Sequence, residues 1–207
     1  MNTESPLIFV DFEFTMPEGK SLPQAFYPEI IEVGLITVQN GQIEHQYSSY
    51  VKPETHTILT ERCKNFLGIS QAQVDGGISF AELTEILHKS ENGIPGKIVT
   101  WGNMDMRVLR MNCEKNGVPF PFSGQFLDLS MEYKKFFGDR NQTGLWKAVE
   151  EYGNKGTGKH HRALDDALTT YKIYNLVEKD KRYLAKPTPT TIGDRVDFSK
   201  VLNKFAT

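Results

Sequence analysis

Leu7-Ile8-Phe9-Val10-Asp11-Phe12-Glu13-Phe14 is an apolar run interrupted by only two acids. Such a run predicts a β-strand, and residues two apart on a strand share a face, so Asp11 and Glu13 converge. Both lie toward the C-terminal end of the strand, where α/β sheets commonly form ligand crevices. Two ionised carboxylates in a partly desolvated crevice repel each other, and the pair is tolerable only with protonation or bound cations. A divalent metal resolves that conflict. An exposed polar face on an edge strand is the alternative these residues leave open.

Working outward, Ile30 to Val38 predicts a second strand rich in β-branched residues. Asn40-Gly41 favours a type I′ hairpin, making Gln42 to Val51 a third, antiparallel strand. Ser79 with Glu82 matches a capping box, and Phe80, Leu83, Ile86 and Leu87 carry the spacing of an amphipathic helix over 79–89. Lys97 to Trp101 predicts a short strand, followed by a helix capped by Asn103 and stopped at Gly117. Phe126 to Leu129 predicts a further strand, and 144–152 and 161–178 predict helices. These elements imply one α/β domain over 1–185. The remaining stretch, 186–207, opens with prolines and threonines at Lys186 to Thr191 and is expected to be a tail packed on or extending from that domain.

The chain's 207 residues, 39% hydrophobic and 24% charged, suit a single compact domain. A formal charge of −2 argues against a protein that coats nucleic acid by bulk electrostatics, so any such contact is local. Cys63 and Cys113 show no disulfide or zinc pattern, which suits a reducing cytosol. No apolar run approaches membrane-spanning length and no signal core precedes Asp11, so a soluble, cytoplasmic protein without a membrane is expected.

Two further stretches carry candidate chemistry. In Trp101-Gly102-Asn103-Met104-Asp105, an acid falls on the first turn of a helix just beyond a strand end, where the same crevice could receive it. Dipole complementarity alone also favours an acid there. In Gly156-Thr157-Gly158-Lys159-His160-His161-Arg162-Ala163-Leu164-Asp165-Asp166-Ala167, a glycine-rich loop passes into a helix. At ~100° per residue, His161 and Asp166 lie ~140° apart on a regular helix, so His161 is expected before or at its start. A histidine on such a loop suits a general base beside a metal anchored by Asp166. Capping and dipole complementarity are the plain alternative.

In order and local context, Asp11-Phe-Glu13, Asp105 in Trp-Gly-x-x-Asp, and His161-x-Ala163-x-x-Asp166-Ala167 resemble the three motifs of the DnaQ-like exonuclease superfamily in its histidine-containing DEDDh form. The register favours His161 with Asp166 over His160 with Asp165. Glu29-Ile-Ile-Glu32, Arg62-Cys63-Lys64-Asn65-Phe66-Leu67-Gly68-Ile69 and Trp101-Gly102 are similar to the branch containing histone-mRNA 3′ exonucleases. Within that branch, the bacterial proteins described as inhibitors of a sporulation sensor-kinase pathway are similar in length. The likeness covers about residues 6 to 180.

The resemblance implies an RNase H-like mixed five-stranded sheet flanked by helices, and 3′-to-5′ hydrolysis of single-stranded RNA or DNA, RNA favoured, to nucleoside monophosphates. It also implies two divalent ions, Mg²⁺ or Mn²⁺. Asp11 would bridge the ions, Glu13 and Asp166 would hold the one carrying the attacking water, Asp105 would support the other, and His161 would take the proton. Phe14, Thr15 and Met16, which follow Glu13, and Trp101 and Asn103, which precede Asp105, are the candidates for binding the terminal nucleotide. Lys155, Lys159 and Arg162 are candidates for local help, and the loop over 15–28 for shaping the mouth of the site. A protein partner in the sporulation pathway, with the exonuclease fold as scaffold, is the competing reading. A metal-dependent phosphatase or nucleotidase fits the motif order less well, and nothing in the sequence reads on oligomeric state.

Overall fold

The computed structural model describes residues 5–19 and 26–185; the tail expected over 186–207 lies outside them. Two compact units divide the chain, Met1–Tyr174 and Asn175–Thr207. The first contains a five-stranded sheet in the order β3-β2-β1-β4-β5. Its strands are β1 (Leu7–Phe14), β2 (Ile30–Gln39), β3 (Gln42–Tyr50), β4 (Lys97–Thr100) and β5 (Gln125–Asp128). Helices α1 (Glu61–Leu67), α2 (Gln71–Asp75), α3 (Phe80–Ser90), α4 (Met104–Asn116), α5 (Leu129–Phe137), α6 (Leu145–Glu151) and α7 (Ala163–Leu184) complete the described elements. Of the second unit, the described part is the end of α7 and Ala185, where Lys181 pairs with Glu178 at 2.9 Å. Among the described residues, no helix is long and apolar enough to cross a membrane.

Strand β1 occupies the middle of the sheet, which removes the edge-strand alternative for Asp11 and Glu13. It runs antiparallel to β2 and parallel to β4, and β2 joins β3 through Asn40 and Gly41, both at positive φ (53° and 75°) as a type I′ turn requires. Side-chain parity divides the roles of β1. Ile8, Val10 and Phe12 enter a core shared with Leu83, Leu87, Val108 and Leu109 of α3 and α4. Phe9, Asp11 and Glu13 take the opposite face, where the Phe9 ring meets Tyr171 and Tyr174 of α7 at 5.1 and 5.4 Å.

Helix α7 begins directly over β2. A Cβ on Gly34 would sit 2.1 Å from the Ala163 carbonyl carbon and 2.1 Å from the Leu164 nitrogen, so only glycine permits this contact of backbone with backbone. Because Gly34 is the registered partner of Asp11, the contact brings the first turns of α7 beside the acids of β1.

The capping box of Ser79 and Glu82 starts α3, and Gly117 ends α4 at φ 64°. Three details differ from expectation. Asn103 takes the cap position of α4 without a side-chain bond, because φ −102° and ψ −3° are helical rather than the extended values that aim a cap side chain at the first-turn amides. Leu129 is helical, not the end of a strand, since Asp128 accepts the Met131 N–H at 3.2 Å and opens α5 directly from β5. Helices α1 and α2 fill a stretch for which no element was expected, capped by Thr60 and by Ser70 with Gln73.

Replacing Gly34 with alanine is expected to destabilise the protein by about 3 kcal/mol, the upper part of the range for overpacking between rigid segments. A lowered urea midpoint with an unchanged denaturant slope is the expected result; an unchanged midpoint would show that α7 can retreat without cost.

Candidate active site

Strands β1 and β4 are parallel, so both deliver their C-terminal ends to the same side of the sheet. The β1–β4 ladder stops after Phe9 and Val99. Beyond it, Asp105 in the first turn of α4 accepts the Phe12 N–H on Oδ1 at 3.0 Å. One carboxylate oxygen therefore substitutes for a missing strand and fixes Asp105 beside Asp11.

Asp166 comes from the first turn of α7 and is 5% exposed, comparable to Asp105 at 5% and Glu13 at 8%. Its Oδ2 accepts the His161 N–H at 3.0 Å, and its Oδ1 accepts the indole N–H of Trp146 at 2.6 Å. His161 lies ahead of the helix, as the angular argument requires, with a backbone φ of 62°. Its ring stacks on His160 at 3.9 Å and meets Phe66 at 4.3 Å. Asp165 turns away and accepts the Lys159 N–H at 2.8 Å.

Asp11, Glu13, Asp105, His161 and Asp166 line one cavity of about 200 Å³ together with Phe12, Phe14, Trp101, Leu145, Trp146 and His160. Ligand atoms of Glu13, His161 and Asp166 lie within 4.8 Å of one another, close enough to hold a metal ion. Thr15 and Met16 instead line a second cavity of about 480 Å³ with Phe26, His56, Ile58 and Leu59. The Thr15 hydroxyl accepts the Glu29 N–H at 2.9 Å, and the Met16 carbonyl accepts the Thr60 hydroxyl at 2.9 Å. Asn103 is exposed and lines neither cavity. Trp101 lines the first, its indole N–H donated to the Thr143 carbonyl at 3.0 Å.

Electrostatics dominates this cavity. Burial, then the charges of Asp105, Asp166, Glu13 and Glu32, holds the Asp11 carboxyl well above the usual carboxylate range. Burial with Asp166, Glu32 and Asp105 pushes Glu13 up to about 8. Asp105 is raised to about 7 by burial, against the opposing Phe12 N–H. Burial also raises Asp166, while burial and His160 lower His161. The neighbouring cation is committed elsewhere: Arg162 donates to Glu32 at 2.9 Å and to the Tyr50 hydroxyl at 2.7 Å. Even so, Glu32, 1% exposed, keeps one oxygen without a hydrogen-bond partner among the described residues. Neither Lys155, Lys159 nor Arg162 is among the cavity's lining.

Trp146, Leu145 and His160 are lining residues that motif reading missed. Trp146 had no usable signal, because nothing in the sequence shows that α6 abuts the start of α7. His160 was visible as the neighbour of His161, but its stacking was not.

The family model for exonucleases matches residues 8–174, a span containing all of the cavity's acids. The chain belongs to the exonuclease family. This exonuclease is 54% identical over 202 residues to the probable 3′-5′ exonuclease KapD of Bacillus subtilis (strain 168), covering 98% of each chain. It is 32% identical over 193 residues to ERI1 exoribonuclease 2 of Xenopus laevis, covering 81% of this chain and only 27% of that protein. The solved nuclease domain of 3′hExo, a DEDDh family member bound to rAMP, has a TM-score of 0.76 at 28% identity, covering 85% of this chain and 92% of that one. The fold is thus the RNase H-like fold of DEDDh nucleases, and the activity is that of a 3′-5′ exonuclease.

The raised carboxyls make a pH prediction for metal-free enzyme. Groups that bind protons more tightly when folded stabilise the fold fully below their ordinary values near 4 and lose that contribution as pH rises through about 7 to 8. In EDTA, Tm is expected to fall by roughly 5–10 °C between pH 6.5 and 8.5. Added Mn²⁺ is expected to recover more of this at pH 8.5 than at 6.5. A Tm that rises with pH in EDTA would contradict the assignment of buried, mutually repelling acids.

Proposed function

We propose that this exonuclease removes nucleotides from the 3′ end of single-stranded nucleic acid, RNA preferred, releasing nucleoside monophosphates with the help of two divalent cations, Mg²⁺ or Mn²⁺. In this reading Asp11, Glu13, Asp105 and Asp166 hold the cations and His161 is the general base. The observation that carries it is the convergence of these four carboxylates with the His161 imidazole in a cavity of about 200 Å³.

The donor set fits such ions. It is mainly carboxylate oxygen, which suits hard divalent cations, and its buried like charges are relieved only by protons or cations. When bound, the cations supply a positive field for the phosphate and lower the pKa of a bound water. His161, whose basicity is lowered by burial and by His160, takes the proton from the attacking water. The water oxygen bonds to phosphorus as the bond to the 3′-oxygen breaks, and that oxygen leaves with a proton from solvent. Phe14 and Trp101 offer apolar faces to the terminal nucleotide. The exoribonuclease name of one relative and the rAMP bound to another support the preference for RNA. A cytosolic setting agrees with the buried, unbridged Cys63 and Cys113.

The test is a ladder assay on 5′-labelled single-stranded RNA and matched DNA with Mg²⁺, Mn²⁺ or EDTA. Shortening from the 3′ end is expected with metal only, faster on RNA. Asp11→Ala is expected to abolish it without lowering Tm, and His161→Ala to slow it by about 10²-fold or more. Undiminished cleavage by either variant would reject the assigned roles. No cleavage of either polymer by the parent protein would turn attention to the scaffold reading and a protein partner.

A further inference from the structure

Both oxygens of Asp166 are held. Each of its oxygens accepts a bond from a separate element: Oδ2 from the His161 amide in the loop before α7, Oδ1 from the Trp146 indole on α6. A carboxylate with donors on both oxygens cannot rotate freely, yet its roughly four lone-pair sites leave room for another partner. The indole bond, at 2.6 Å, is the shorter of the two.

The indole is itself seated. A Cβ on Gly156 would lie 2.5 to 2.8 Å from Cζ3, Cε3 and Cη2 of Trp146, so the six-membered ring rests directly against this glycine. On another side the ring meets His160 at 5.1 Å, and His160 stacks on His161 at 3.9 Å. Trp146 is half-buried, whereas Leu145, Ala148 and Val149 bury the core side of α6. Its packing is therefore secondary in the fold, while its one polar group points at Asp166.

From this juxtaposition we infer that Trp146 is a positioning residue: its indole N–H sets the Asp166 carboxylate for a divalent cation, and its ring, through His160, steadies His161. The inference rests on the proposed metal-holding role of Asp166. Removing groups that orient a ligand typically costs 10- to 100-fold in metal affinity or activity.

The test compares Trp146→Phe, which keeps a ring and loses the donor, with Trp146→His, whose Nε2 occupies the same five-membered-ring position as indole Nε1 and restores a donor. Mn²⁺ affinity by calorimetry without substrate, kcat and KM on single-stranded RNA, and Tm are measured for each. Trp146→Phe is expected to weaken Mn²⁺ binding and lower kcat by about tenfold each, with KM within about twofold, and Trp146→His to recover much of both. Should Trp146→Phe melt early, Gly156→Ala, which leaves the indole but displaces its seat, is expected to show the same losses. Unchanged Mn²⁺ affinity in the phenylalanine variant overturns the inference, including when KM alone rises, which would mark Trp146 as a nucleotide-stacking residue. Asp166→Ala separates the two levels. If it abolishes Mn²⁺ binding while Trp146→Phe does not, only this inference fails; if it leaves binding intact, the metal-holding role of Asp166 fails as well.

Discussion

Repulsion among buried and half-buried carboxylates is the constraint around which this molecule is arranged. Asp11, Glu13, Asp105 and Asp166 share one cavity, and Glu32 lies on the strand next door as the partner of Glu13 in register. Left to themselves these groups would separate or stay protonated. The surrounding structure opposes separation with backbone amides, one indole and the rigid sheet. Among the described residues Arg162 lies nearby, pairing with Glu32 and only partly offsetting the charge around Glu13. The cavity is consequently a place of crowded negative charge, which on the proposed function cations would relieve while presenting a positive field to phosphate.

The sheet makes that crowding possible. Alternation along β1 sends Ile8, Val10 and Phe12 to one core while Asp11 and Glu13 face α7. Parallel pairing with β4 brings Asp105 to the same end, and the bare backbone of Gly34 lets α7 descend far enough for Asp166 to join them. The acids thus come from three structural relations: strand parity for Asp11 and Glu13, a crossover helix for Asp105, and a close approach of helix to strand for Asp166.

How far the sequence disclosed this follows from the range of each signal. The run Leu7–Phe14, the Asn40-Gly41 turn and the Ser79 capping box act within a few residues, and each was readable. The short helices α1 and α2, of seven and five residues, are too brief for apolar periodicity, although Ser70 with Gln73 carried a legible capping box. Helix α5 was obscured because it follows β5 with no loop between them. Local motifs singled out the acids and His161, which the structure brings to one cavity. Trp146 and the stacking of Phe66 on His161 depend on which distant segments meet, which a single sequence does not encode locally. Thr15 and Met16 show how short the reach of proximity in sequence is: two residues past Glu13 the chain already lines a different cavity.

His161 sits at φ 62°, a left-handed conformation that glycine or asparagine adopts at lower cost than histidine. Such strain is worth of order 1 kcal/mol or more, and here it falls on the proposed base. Selection for thermal robustness alone would therefore drift this position toward glycine, yielding a sturdier protein that, on the proposed role of His161, is far slower. If His161 is the base, stabilised descendants of this fold found by screening for heat tolerance would be enriched in slow forms, so stability and catalysis have to be selected together at this position.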